Sequence, residues 1–245
     1  MLLLIEVNPN IMRNYKKNYV KQILPILFCF FSLAFFGQNK PMDYNKNNSD
    51  FEFVAGEDLK AEFNRNENPK SKIQLIAKIT NDSIITIYLK NNSKDSIEIW
   101  KQDGQLFLIQ EAKNENGIWK PIEYWSYSWC GNSYSAKKIE GQKIIKTESP
   151  KYNGSFETEI RFKFLIDDDV FYTNPLNCNI DLTQFIIPED FTKHGTYKKV
   201  IKVADKELAE KVLFLEPNAS REFVKKHKEW VKMVTKKRLE NKNNK

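Results

Sequence analysis

The chain has 245 residues, 41% of them hydrophobic and 13% aromatic, with 39 Lys and Arg against 32 Asp and Glu for a net charge of +7. That apolar content builds a core and excludes a wholly disordered chain. The basic excess is local, with ten basic against three acidic side chains in 221–245 and four against one in 1–37; the acidic body this leaves excludes a dedicated nucleic-acid binder.

At the N-terminus Arg13, Lys16, Lys17 and Lys21 precede the apolar run ILPILFCFFSLAFFG at 23–37, and polar QNKPMDYNKNNSD follows. Basic, then apolar, then polar is the order of a secretory signal peptide over 1–37, so the protein is expected to be exported and periplasmic or secreted. The run is shorter than the roughly 20 residues a membrane-spanning helix needs, with an uncleaved anchor as the alternative. Cys29 lacks the small residues of a lipoprotein cleavage box. MRNYKKNYVKQ makes a better basic leader than MLLLIEVNPN, which puts the expected true start at Met12. Residues 38–71, rich in Asn, Lys, Glu and Asp and aperiodic apart from FEFVA at 51–55, are expected to be a linker or loosely ordered lead-in.

From 72 onward the hydrophobic period becomes two. KIQLIAKI puts Ile73, Leu75, Ala77 and Ile79 on one face, IITIYLK aligns Ile85, Ile87 and Leu89, and SIEIW follows the polar NNSKD. QLFLIQEA and IWKPIEYW flank NENG as a hairpin over 105–125, with Pro121 expected at an edge because it lacks an amide donor. SFETEIRFKFLI at 155–166 sends Phe156, Thr158, Ile160, Phe162 and Phe164 one way and Glu157, Glu159, Arg161 and Lys163 the other, predicting one buried and one wet face. Turn residues recur about every ten positions, which favours a sandwich or barrel over βα units for a β domain spanning 72–190. In the extension 191–245, DKELAEKVLFL predicts one helix. Ser220 caps a second with Phe223, His227, Trp230, Val231 and Val234 on a stripe and Lys225, Lys228, Lys232 and Lys236 on its other faces. That helix is expected to dock on the body with its lysines in solvent, membrane contact being the less favoured alternative.

Three features bear on chemistry. Extended, 122–130 would place Trp125, Tyr127 and Trp129 on one face: core by default, or a platform on which a glycan or peptide stacks with Glu123 or Asn132 supplying hydrogen bonds. Cys130 and Cys178 are the two cysteines left after signal removal, and in an oxidising compartment they are expected to pair, closing a loop of about 49 residues for roughly 4 kcal/mol. WCGNS at 129–133 also matches a monothiol variant of the thioredoxin-type WCGxC motif, a chemistry that needs Cys130 at a helix N-terminus; YSAKKIEGQK after it has no amphipathic period. With two histidines, His194 and His227, no histidine-based metal site or cofactor is expected, and His194 as a general base lacks a nucleophile signature. Asp167, Asp168 and Asp169 fit a solvated turn better than a calcium loop.

IITIYLKNNSKDSIEIW, FLIQEA, WKPIEYWSYSWCGNSY and PKYNGSFETEIRFKFLI together resemble the strand pattern of small exported bacterial proteins with an immunoglobulin-like fold, over about residues 72–187. The resemblance implies a mainly β, antiparallel immunoglobulin-like β-sandwich, here followed by a pair of α-helices. It carries no function over, and the tryptophan that packs on the inter-sheet disulfide of antibody domains has no counterpart, because Trp129 adjoins Cys130 in sequence. The expected function is a non-enzymatic binding or structural module with a glycan or protein partner at the cell surface, the alternative being a thiol oxidoreductase at Cys130.

Overall fold

A computed structural model describes residues 49–65 and 71–243; the expected signal peptide, Met12 start and Cys29 lie outside them. The described chain is mainly β, and every strand pair is antiparallel. The strands are β1 (Ile73–Ile79), β2 (Ile84–Asn91), β3 (Ile97–Gln102), β4 (Gln105–Leu106), β5 (Leu108–Lys113), β6 (Trp119–Pro121), β7 (Tyr134–Ile139), β8 (Ile144–Pro150), β9 (Phe156–Ile166), β10 (Asp169–Tyr172) and β11 (Leu176–Ile180). They form three sheets, ordered β1-β2-β8, β10-β9-β5-β6 with β11 also on β9, and β4-β3-β7.

Alternation explains the core. Ile73, Leu75 and Ala77 of β1, Ile85, Ile87 and Leu89 of β2, Ile99 of β3 and Ile160, Phe162 and Phe164 of β9 all enter one apolar cluster shared by the three sheets. The NENG hairpin forms as expected, with Gly117 at φ 72 in the turn and Pro121 on edge strand β6 opposite Glu111. Asn174, in the β10–β11 connection, holds the edge of β1 with its side-chain amide, which accepts from Ala77 N at 2.8 Å and donates to Ala77 O at 3.1 Å.

The faces of the first and second sheets away from that cluster are also covered, and two expectations change as a result. Within the expected lead-in, the described residues 49–65 pack on the body: Glu57–Arg65 is a helix, α1, whose Phe63 is fully buried with Phe53 and Ala55 against Ile76, Tyr88 and Ile144 of the first sheet. Lys78 pairs with Glu62, and Asp50 N donates to Lys146 O at 2.8 Å. The outer face of β9 is not uniformly wet either. Lys163 is 1% exposed, 2.5 Å from Glu216 and 3.8 Å from Glu111, while Glu111 also pairs with Arg161 at 2.7 Å. Arg161 in turn lies over the rings of Trp119 and Tyr172.

The expected helix pair is four helices: α2 (Glu189–Lys193), α3 (Gly195–Val203), α4 (Lys206–Leu213) and α5 (Ala219–Asn243), preceded by a 3-10 turn at Leu182–Phe185 that Asp181 caps. Asp205 caps α4 by accepting from Leu208 N at 2.8 Å. Tyr197, Val200, Leu208, Val212, Ala219 and Phe223 form a second apolar cluster among these helices. The Asp167–Asp168–Asp169 turn is more than solvated, because Asp168 pairs with Arg221 and accepts from Asn218 N at 3.2 Å, tying the β9–β10 turn to the start of α5.

Candidate functional site

The aromatic run 122–130 is not a strand. β6 stops at Pro121, and the amides of Ile122 and Glu123 both reach Gln110 O, at 3.0 and 3.3 Å, so the chain leaves the sheet and crosses to the helices as an irregular strap. Without the pleat the strict alternation is lost, and each aromatic goes where its local backbone sends it. Ile122 enters the core between the sheets, whereas Tyr124 enters the helical cluster and donates from its hydroxyl to Gln184 O at 2.7 Å. Trp125 is 3% exposed, packed with Ile109, Leu165 and Leu215 and tilted on Phe107 at 4.9 Å between ring centroids, and its amide donates to Leu213 O at 2.8 Å. Tyr127 packs on Phe107 as well, its carbonyl accepting from Thr196 Oγ1 at 3.2 Å. Burial pushes its hydroxyl pKa far above the ordinary range, against the pull of a hydrogen bond with the Ser220 side chain.

Trp125, Tyr127 and Trp129 therefore do not share a face, and the expected three-ring platform is corrected. Only Trp129 surfaces, at 48% exposed. Its ring meets Phe223 edge-on at 5.6 Å and His227 at 6.4 Å, and His227 stacks on Trp230 at 6.0 Å. Two cations from α3 complete the row: Lys199 Nζ lies 3.8 Å from the centroid of Trp129 and Lys202 Nζ 4.9 Å from that of Trp230. Such contacts contribute about 0.5–1 kcal/mol each at exposed sites. The sequence showed Phe223, His227 and Trp230 as a helical stripe. Lys199 and Lys202 were missed because their place over the two tryptophans depends on how α3 packs beside α5, some thirty residues later in the chain.

The other expected site residues separate. Glu123 turns inward, accepting from Gln110 N at 2.8 Å, Gln110 Nε2 at 3.0 Å and Tyr152 Oη at 2.7 Å. Desolvation raises its carboxyl pKa above the ordinary range despite these bonds. Asn132 is exposed in the 3-10 turn Gly131–Ser133. His194 is an exposed residue at the start of α3.

The expected disulfide is not formed, and both cysteines are free thiols. Cys178 points from β11 into the core between the sheets, whereas Cys130 is exposed beyond the end of the strap, so the pleat of β11 turns one thiol away from the surface that carries the other. Burial raises the Cys178 thiol pKa. A three-residue 3-10 turn follows Cys130 and runs straight into β7, so the α-helix start on which thioredoxin-type chemistry relies is not there. Among the described residues no group of three His, Cys, Asp or Glu side chains is placed to hold a metal ion.

A concavity of about 760 Å³ opens between the β5–β6 hairpin and the helices, lined among others by Lys120, Pro121, Phe185, Ile186, Tyr197 and Phe214. Nothing in the sequence pattern pointed to it, because its walls come from segments more than sixty residues apart.

No protein-family model matches the chain, and no curated protein matches it. The geometry of these residues therefore carries the functional reading.

Proposed function

We propose that this chain is an exported, non-enzymatic binding module, built on an immunoglobulin-like β-sandwich, that holds a glycan or peptide against the row Trp129–His227–Trp230. Export rests on the basic-apolar-polar order of residues 13–50. The sandwich is supported by the apolar cluster common to the inner faces of the antiparallel sheets. One observation carries the binding site: a half-exposed indole braced from behind by Phe223 and flanked by His227, with an ammonium group on each of the two tryptophans. A flat apolar ring beside fixed cations suits sugar CH faces bearing carboxylate or phosphate, or the acidic and aromatic side chains of a peptide.

Affinity electrophoresis of the full chain through gels containing neutral or uronate-bearing polysaccharides tests this. Trp129→Ala and Lys199→Ala should abolish the retardation while leaving the melting temperature within a few degrees. Retardation that survives both substitutions removes the site, and retardation by none of the gels removes a glycan as its ligand. The competing thiol chemistry has one supporting observation, the exposed free thiol of Cys130. Disulfide reduction by the wild type that Cys130→Ser abolishes would establish it instead.

A further inference from the structure

The stripe Phe223, His227, Trp230 and Val234 turns α5 toward the body, but the helix is far longer than its anchorage. Phe223 is buried, whereas from Val231 to Asn241 every residue but the half-buried Val234 is exposed. The opposite face presents Val224, Lys225, Lys228, Lys232, Thr235, Lys236 and Leu239, and Val231, expected on the stripe, is exposed at its margin; these eight recur mostly at steps of three and four and so lie along one side of the helix. All eight are exposed, and no Asp or Glu is among them; at 1.5 Å per residue they span about 22 Å. Lys225, Lys228 and Lys232 make no salt bridge with any described residue, whereas Lys236 pairs with Glu240 at 4.0 Å; Glu222 pairs with Lys226, and exposed Glu229 borders the face.

We propose that this face of α5 docks on the surface of an anionic lipid bilayer, with its lysines on lipid headgroups and Val224, Val231 and Leu239 dipping into the acyl boundary. Charge complementarity selects an anionic occupant, since four lysines stand along the face and three of them, Lys225, Lys228 and Lys232, have no acidic partner among the described residues. The interleaved apolar residues select a bilayer over a soluble polyanion: Val224 is 49% exposed, Val231 42% and Leu239 58%, and a polyanion would leave them in water. Lysine stems snorkel past apolar neighbours to the headgroup level, the side-chain arrangement of helices that lie in the interface. The site is on the side of α5 away from the Trp129 row and is independent of ligand binding there.

The test is a lipid titration of the full chain with vesicles of phosphatidylcholine alone or mixed with phosphatidylglycerol. Because residues 23–37 are apolar enough to enter any bilayer and the four basic residues before them favour anionic lipid, the readout is the change that substitutions in α5 make to the ratio of partition coefficients between the two vesicle types. A preference of at least about tenfold for the anionic vesicles at low salt is expected, shrinking as salt rises. The combined change of Lys225, Lys228, Lys232 and Lys236 to Gln should lower the ratio by about tenfold or more. Val231→Ser with Leu239→Ser should weaken binding to anionic vesicles with every charge intact. A wild-type ratio of one, or a ratio that loss of the four lysines leaves unchanged, overturns the proposal. So does full competition by soluble polyphosphate with no effect of the double serine variant, which would assign the face to a polyanion.

Discussion

Trp125 and Trp129 stand four residues apart and meet opposite surroundings. Trp125 lies enclosed by Phe107, Ile109, Leu165 and Leu215, so Trp125→Ala should cost about 3–5 kcal/mol in chemical denaturation. The same change at half-exposed Trp129 should cost under about 1 kcal/mol. The two cysteines divide in the same way. Without reductant, the native protein should release one rapidly reacting thiol, at exposed Cys130, and a second only on unfolding, at buried Cys178; an absence of free thiols in the denatured protein would restore the disulfide. Glu123 makes stability depend on pH. Its folded pKa lies above the ordinary 4.5, so its contribution is fully present below that value and is lost as pH rises through the folded pKa. Unfolding free energy of wild type minus that of Glu123→Gln should therefore fall from acid toward neutral pH, and a flat difference would show the carboxylate to be adequately paired.

Periodicity reported regular elements well and irregular ones not at all. The strand at 155–166 was legible because Phe156, Ile160, Phe162 and Phe164 alternate with charge, and β9 spans Phe156–Ile166. What alternation left out was the fate of its second face, where Lys163 is buried because Glu216 arrives from a segment some fifty residues later. The lead-in failed for a related reason. Nothing in EDLKAEFNR announces burial, yet Phe63 closes the outer face of the first sheet against Ile76 and Ile144. Phe63→Ala should destabilise by about 3–5 kcal/mol, measured by denaturation; a near-neutral result would mean that α1 docks only loosely. Gly154 marks another long-range constraint, since a Cβ there would lie 2.1 Å from the carbonyl of Ile180.

At the scale of the whole molecule the β body and the helices are tied at several points: Lys163 to Glu216, Asp168 to Arg221, Tyr124 to Gln184 and Trp125 to Leu213. Glu111 is central among them, because it holds both Arg161 and Lys163 on a buried stretch of β9. Glu111→Gln leaves those cations short of a counter-charge and should cost about 3 kcal/mol. Far-ultraviolet and tryptophan-fluorescence unfolding curves should stay coincident in the wild type and separate in this variant if Glu111 couples the two parts; coincident curves in both would confine its role to the sheet.

By itself the sequence determined the β class, the antiparallel hairpin across NENG, most strand faces that form the inner core, and helices α4 and α5. Each of these depends on neighbours two to four residues away, and side-chain period records such neighbours directly. Tertiary structure alone decided that the aromatic run is a strap, that its first tryptophan is core and its last is surface, that the two thiols face apart and that α5 runs on past the body. Those outcomes depend on which distant segments arrive to cover a side chain, Leu165 and Leu215 over Trp125 or Phe223 beneath Trp129, and no local pattern encodes contacts made across forty to ninety residues of chain.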